Sequence, residues 1–155
     1  MNDTAKNTLQ GLGRIEGKTH ILPISVYYED TDLSGVVYHA NYLRYMERGR
    51  TEFFRLAGIS KMAGLEDDEP TAWALRRVAL EFLRPARLDD QIAVHTTLTE
   101  GSGARLKVLQ RVMCGDVLLV EGRIEACITT LTGKPRRLPK NVLQTLAPFL
   151  AQDET

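Results

Sequence analysis

Tyr27-Tyr28-Glu29-Asp30-Thr31-Asp32-Leu33-Ser34-Gly35-Val36-Val37-Tyr38-His39-Ala40-Asn41-Tyr42 is the stretch on which the reading of this chain turns. An acidic cluster, a turn at Ser34-Gly35 and a histidine at the threshold of a helix meet in it. Gly35 supplies a backbone shape that other residues avoid. Val36, Val37 and Tyr38 favour extended backbone. The helical pattern then runs through Leu56, with Asn41 as its expected N-cap. On a helical wheel Tyr42, Met46, Gly49, Phe53 and Leu56 share one arc, while Arg44, Glu47, Arg48, Thr51 and Arg55 lie opposite, so the helix is amphipathic. Gly49 in the apolar arc costs about 1 kcal/mol against Ala and implies close approach to a neighbouring element. Unpaired N–H groups and the positive dipole end point out of the helix entrance, where they can stabilise a developing oxyanion. Asp32, just upstream, is the candidate carboxylate to act beside them.

Working outward, 155 residues fit a single domain with a real core. Twenty basic residues balance twenty acidic ones, so no global field favours nucleic acid or an anionic membrane. The one Trp and five Tyr do not alternate with basic runs, which weakens a nucleic-acid reading further. Cys114 and Cys127 show no metal-ligand spacing, and so few cysteines suit a reducing cytosol. The polar start of the chain has no apolar core of a signal peptide, and no apolar run is long enough to span a bilayer. Residues 1–17 are read as a flexible extension, 18–150 as the domain and 151–155 as a tail.

Strand composition runs from His20 to Tyr28, where Pro23 implies an edge or a strand start. Gly58 is the expected helix stop. An acidic loop spans Ser60–Pro70, with Glu66-Asp67-Asp68-Glu69 read as a solvated face. Four strand-like segments follow, Thr71–Arg84, Gln91–Thr99, Arg105–Met113 and Val117–Leu131. They alternate apolar and polar positions, including Val78, Leu80 and Phe82 in the first and Leu118, Val120, Ile124, Ala126 and Ile128 in the last. Gly101-Ser102-Gly103 and Gly115-Asp116 make antiparallel hairpins, and Pro85–Asp90 makes the remaining turn. A short helix after Pro139 turns Val142, Leu143, Leu146 and Leu150 inward. The order is strand, long helix and four long strands, an α+β layer arrangement with one helix on one antiparallel sheet.

The segment Tyr28–Tyr42 resembles the signature of the 4-hydroxybenzoyl-CoA thioesterase family of hotdog-fold proteins. His39 with Ala40-Asn41-Tyr42 resembles, more narrowly, the Tol-Pal-associated acyl-CoA thioesterases of Gram-negative bacteria. Pro85–Asp90, Ile92 and Val94 fit the same pattern, and the likeness covers about residues 20–150. It implies a hotdog fold, a five-stranded antiparallel sheet around a long central helix, and hydrolysis of acyl-CoA thioesters without a cofactor. It also implies a homodimer joined through a continuous sheet; the strand edges left to protect give the same expectation, with a dimer of dimers as the open alternative. By the same resemblance Asp32 is the catalytic carboxylate. His39 presents its backbone N–H to the thioester carbonyl and lends its imidazole to the reaction, and Tyr38 lines the acyl pocket at the Gly35 turn.

A thiolate leaves readily, so modest machinery suffices. Asp32 can activate water or attack directly to form a mixed anhydride, and these two routes stay open. His39 can position water or protonate the departing thiol. Coenzyme A, or the equivalent acyl-carrier protein, brings phosphates, for which Arg105 and Lys107 on one strand and Lys134, Arg136 and Arg137 after the last strand are candidate partners. Asp30, Asp32, Ser34 and Gly35 imitate half of a calcium loop, yet the twelfth position is Asn41 rather than Glu. Glu29, Asp30, Asp32 and His39 fit no usual zinc spacing. Asp30 reads as a turn cap, and His20 and His95 as capping or surface residues. A non-catalytic acyl-CoA-binding module is the competing reading of the whole chain.

Overall fold

The computed structural model describes residues 11–59, 63–64 and 69–151. The first ten residues of the expected extension, Glu66-Asp67-Asp68 of the acidic loop and residues 152–155 of the tail lie outside the described residues.

Strands β1 (Arg14–Glu16) and β2 (Thr19–Ser25) precede a single turn of 3-10 helix, Tyr28–Asp30, and the long helix α1 (Asn41–Ala57). Then come β3 (Ala63–Gly64), β4 (Thr71–Phe82), β5 (Gln91–Ser102), β6 (Arg105–Cys114), β7 (Val117–Thr130), β8 (Pro135–Arg136) and α2 (Lys140–Leu146). All neighbouring strands pair antiparallel in the order β1-β2-β5-β6-β7-β4-β3, with β8 added on β7. The expected five-stranded sheet is therefore β2, β5, β6, β7 and β4, and three short strands extend it. No helix among the described residues is long and apolar enough to cross a membrane.

The expected breaks at Pro23 and Gly58 have physical counterparts, whereas the strand expected to run to Tyr28 ends at Ser25 and Tyr28 opens a 3-10 turn. Pro23 pairs with Ala93 on one side of β2, and β1 covers the other side only at Thr19–Ile21, so the missing N–H faces an open edge. Gly58 ends α1 with φ 109°, and its N–H returns to Arg55 and Phe54 carbonyls while Ile59 N–H bonds Phe54 O at 2.9 Å. Asn41 is not the N-cap. Ala40 precedes the first helical residue, and the Asn41 side chain reaches back to the Asp30 carbonyl instead. Residues 14–16 of the supposed flexible extension are a strand, because Ile15 packs on the core and His20 holds the preceding turn. His20 is itself fully buried, its Nε2 2.6 Å from the Leu12 carbonyl oxygen and its ring stacked on Phe53. Burial holds its imidazole below the usual pKa.

The core lies between α1 and the inner face of β2, β5 and β6. Tyr42, Met46, Gly49 and Phe53 are buried as the wheel requires, joined by Tyr45 and Phe54. Val94, Leu98, Leu106, Val108 and Val112 answer from the strands. Two departures concern β4 and β7. Val78 and Phe82, expected to be half-buried, are exposed because α1 lies over β2, β5 and β6 and leaves much of β4 uncovered. In β7, Leu119 is buried beside Val120, whereas Leu118 is not. The ladder shifts register opposite Val112/Met113, and Leu119 O takes the N–H groups of Leu83 and Arg84.

Helix and sheet meet most closely at Gly49. A Cβ built there would lie 2.7 Å from Val94 Cγ1, 3.0 Å from Thr96 Oγ1 and 3.1 Å from Gln110 Nε2. Gln110 is buried and ties the two layers, its Nε2 donating to Met46 O at 2.8 Å and to Thr96 Oγ1 at 2.9 Å. We expect Gly49→Ala to lower stability by about 1–3 kcal/mol through overpacking, although Ala favours a helix by about 1 kcal/mol. Urea denaturation midpoints measure the difference, and a midpoint at or above that of the parent protein would contradict the close-packing account.

Candidate active site

Asp32 sits on a tight turn. Its N–H donates to Val36 O at 2.9 Å, Gly35 N–H donates to Asp32 O at 3.1 Å, and Gly35 adopts φ 80°. Thr31 bridges Val37 across the loop. The loop is then fastened to the helix through one atom: the Asp30 carbonyl oxygen accepts Tyr38 N–H and Asn41 Nδ2, both at 2.9 Å. Asp30 itself caps the preceding 3-10 turn, its Oδ2 accepting Tyr27 N–H at 2.9 Å, as its sequence position suggested.

The Asp32 carboxylate is exposed and tied on one side. Oδ1 accepts the Ser34 N–H at 2.8 Å and the Ser34 hydroxyl at 2.5 Å. The hydroxyl, and then the Ser34 N–H, favour the ionised form and pull the Asp32 carboxyl below its ordinary value.

His39 stands at the opening of α1. Its ring is 4.6 Å from that of Tyr38 and 6.4 Å, edge-on, from Phe82. Asn41 N–H already bonds Tyr38 O and Leu43 N–H bonds Ala40 O, whereas the N–H groups of His39 and Ala40 have no acceptor among the described residues. These two amides form the helix mouth. Thus Asp32 and His39 occupy the two limbs of one hydrogen-bonded loop.

A second wall comes from residues 84–90. Val37 N–H donates to Ala86 O at 2.8 Å, and Val36 bridges Arg87. Tyr42 fixes this wall from below by accepting Ala86 N–H at its phenolic oxygen, 3.0 Å away and buried. Burial pushes the Tyr42 hydroxyl above its usual pKa; the Ala86 N–H opposes the shift. Tyr45 is similarly raised, by burial first and then by Asp30 beside it.

The other candidate positions divide. Tyr38 is half-exposed beside His39, and Gly35 makes the turn with open space where a side chain would be. Arg105, Lys107 and Arg136 lie elsewhere in this chain. Arg105 faces Ser102 at the end of β5 opposite Gln91, and Arg136 pairs with Ile128 late in β7. Gln91, by contrast, is next to Asp90, whose carbonyl accepts Val26 N–H at the site end. All three cations are already paired, Arg105 with Glu125 at 3.3 Å, Lys107 with Glu100 at 3.2 Å and Arg136 with Glu69. No grouping of three metal-binding side chains occurs among the described residues.

Sequence reasoning missed Ser34 as a carboxylate partner, Phe82 beside His39, the Tyr42–Ala86 bond and the Gln110 tie. Only Gln110 carried a signal, being polar at an inward position between Val108 and Val112.

One antiparallel sheet thus packs on one long helix, with the Asp32 turn joined to the helix opening through the Asp30 carbonyl. Residues 26–146 match the thioesterase-like superfamily, and the chain belongs to it. It is 41% identical over 123 residues to the acyl-CoA thioester hydrolase YbgC of Escherichia coli O6:H1, covering 78% of this chain and 90% of that one. It is 38% identical over 121 residues to the acyl-CoA thioesterase YbgC of Haemophilus influenzae, covering 77% and 88%. Its fold superposes on a probable thioesterase from Bartonella henselae with a TM-score of 0.74 at 39% identity, covering 79% of this chain and 98% of that one.

Tyr42→Phe removes the acceptor for a buried N–H, so we expect a loss of about 1–3 kcal/mol in stability. Thermal denaturation checks this, and an unchanged melting temperature would show that Ala86 N–H finds another partner.

Proposed function

We propose that this protein hydrolyses acyl-CoA thioesters to a free acid and a thiol, with Asp32 and the opening of α1 as its reactive parts. One observation carries the proposal: the Asp30 carbonyl joins the Asp32 turn to the helix entrance, so carboxylate and unpaired amides share one rigid frame. The names of the relatives agree with this chemistry. Acyl-carrier protein offers the same kind of thioester and is the second carrier to test.

In the reaction the thioester carbonyl oxygen faces the N–H groups of His39 and Ala40. Charge growing on that oxygen is stabilised by the amides and the positive helix end, worth about 3–4 kcal/mol per well-placed donor. Asp32 either draws a proton from water as it attacks or attacks itself; the anhydride so formed is then hydrolysed. In both routes the carbon–sulfur bond breaks and the thiolate takes a proton, which the His39 imidazole can deliver. Tyr38 and Phe82 provide apolar walls beside the reacting carbon.

The assembly we propose is a homodimer, with a pair of dimers as the larger form. Outside Thr71–Ala72, which pair with β3, the outer edge of β4 has no strand neighbour among the described residues. Two β4 edges meeting antiparallel would set the far end of one subunit beside the site of the other. That arrangement gives the cations at Arg105, Lys107 and Arg136 a route to substrate phosphates that a single chain lacks.

Asp32→Asn should lower kcat by about 10²–10⁴-fold, the range for a lost acid–base group, with the fold intact by circular dichroism. Near-normal thiol release from several acyl-CoAs would remove Asp32 from the mechanism; binding without any release by the parent protein would favour a non-catalytic module. The Ser34 bonds hold the ionised form of Asp32. Their contribution is therefore present above the ordinary carboxyl value of 3.8 and is lost as pH falls through the depressed value of the folded state. Ser34→Ala should accordingly shift the acid limb of kcat/KM to higher pH, and an unmoved limb would separate that limb from Asp32.

A further inference from the structure

Residues 11–16 lie across the border of the sheet as a strap, and one buried side chain fastens them. β1 pairs with β2 only at Thr19–Ile21. Beneath that pairing His20 is fully buried, its Nε2 2.6 Å from the Leu12 carbonyl oxygen and its ring stacked on Phe53 at 5.7 Å. The strap closes tightly over the ring. Gly13 turns with φ 77°, and a Cβ there would run into the Ile21 carbonyl and come within 2.9 Å of His20 Cε1 and Nε2. A carbonyl oxygen only accepts, so Nε2 carries the proton of the neutral ring. Nδ1 is then bare, and it is buried without a hydrogen-bond partner among the described residues.

The surroundings suit a neutral imidazole and oppose a charged one. Burial is the largest influence and holds the ring below its ordinary value of 6.5; the Leu12 carbonyl and Glu52 pull the other way. Glu52, on α1, has Oε1 engaged by Arg55 at 3.0 Å and Oε2 buried without a partner. On the strap, Arg14 and Glu16 pair with each other at 2.8 Å, and Lys18 in the following turn donates to the Leu150 carbonyl. From β5, Thr96 stands opposite His20 and carries no charge, while His95 stands opposite Ile21. His95 is lowered by burial first, then by Arg14 and Arg111, against Glu16. No carboxylate of the described residues lies within ion-pair distance of His20. A second proton on its ring would set a full charge and an unpaired N–H beside Phe53.

We propose that His20 is an acid-released latch: with its ring neutral it holds residues 11–16 on the sheet border, and with a second proton on the ring it lets them open. Opening gives the imidazolium to water, which the closed strap withholds. The strap has few other ties, three paired residues and Ile15 on the core. Its local opening therefore requires less free energy than unfolding the domain, and it can move while α1 and the long strands stay in place. Release uncovers the outer edge of β2 at Thr19–Ile21. The open strap leaves the ring with its ordinary proton affinity, and the closed strap weakens it. Closure is thus fully favoured above 6.5 and is lost as pH falls toward the lowered value of the closed form.

The test follows amide hydrogen exchange of the full chain by NMR from about pH 8 to about pH 5, with rates corrected for intrinsic chemistry. In the parent, opening at Arg14–Glu16 should be constant at the alkaline end. Below the ordinary imidazole value it should become easier by up to about tenfold per pH unit, as one proton requires, while amides of β6 keep their protection. His20→Gln keeps a donor for the Leu12 carbonyl and does not titrate, so its strap should open equally across the range. A parent strap whose opening ignores pH would overturn the latch. So would an acid response that survives in His20→Gln, which would assign it to His95 or to a carboxylate. Loss of β6 protection at the same pH would mean unfolding of the whole domain and would overturn it as well. If His20→Gln does not fold, the ring signals of His20 in the parent decide. Titration at or above the ordinary value overturns the proposal, and titration below it in step with strap opening sustains it.

Discussion

The contact of α1 with the sheet at Gly49 constrains nearly everything else in this molecule. A residue with a side chain would hold the helix away from Val94 and Thr96. At the present spacing Gln110 reaches both the Met46 carbonyl and Thr96, and its remaining oxygen takes the Arg50 guanidinium. Because the helix is rigid, this one depth fixes where its ends emerge. Toward the C-terminus, Phe54 is brought onto Trp73 with rings nearly parallel. Toward the N-terminus, Tyr42 comes beneath residue 86 and the helix mouth stands beside the Asp32 turn. The buried polar network is satisfied on the sides that define this geometry, which is what allows it to specify one packing rather than several.

The reactive arrangement proposed above needs little from the rest of the chain. Asp32 is exposed and makes no ion pair among the described residues, and the Ser34 hydroxyl and N–H favour its ionised form. An ionised carboxylate and two unpaired amides match a reaction whose leaving group departs readily. In that proposal the fold supplies orientation and, through Ser34, a carboxyl held below its ordinary value. Much of the apparatus proposed above is accordingly backbone: the Asp30 carbonyl, the Gly35 turn and the amides of His39 and Ala40.

That economy also governs what could be read from the sequence. The five long strands, the central helix and its Gly58 stop were legible because period-two and helical patterns report which face is buried. The Ser34-Gly35 turn and the helix opening after it were legible because their chemistry is local. What could not be read were contacts between distant segments. Nothing near Tyr42 announces that its hydroxyl will meet Ala86, and nothing near Val78 announces that α1 will leave it bare. Asn41 looked like a cap because its residue type favours caps; the Asp30 carbonyl competed for the side chain and prevailed. The placement of the basic residues was hidden for a related reason. Composition identified Arg105, Lys107 and Arg136 as cations, but only strand register shows that they stand at the other end of the sheet from Asp32.

The two borders of the sheet are unlike, and growth by strand addition is therefore one-sided. On the β2 side, Pro23 offers no amide where the border is bare, and β1 occupies the remainder. On the β4 side, most of the main chain is unshielded by any described strand. A protein with two receptive borders can polymerise without limit into a fibre. One with a single receptive border is exhausted after one encounter, so in the assembly proposed above the asymmetry that invites union would also terminate it.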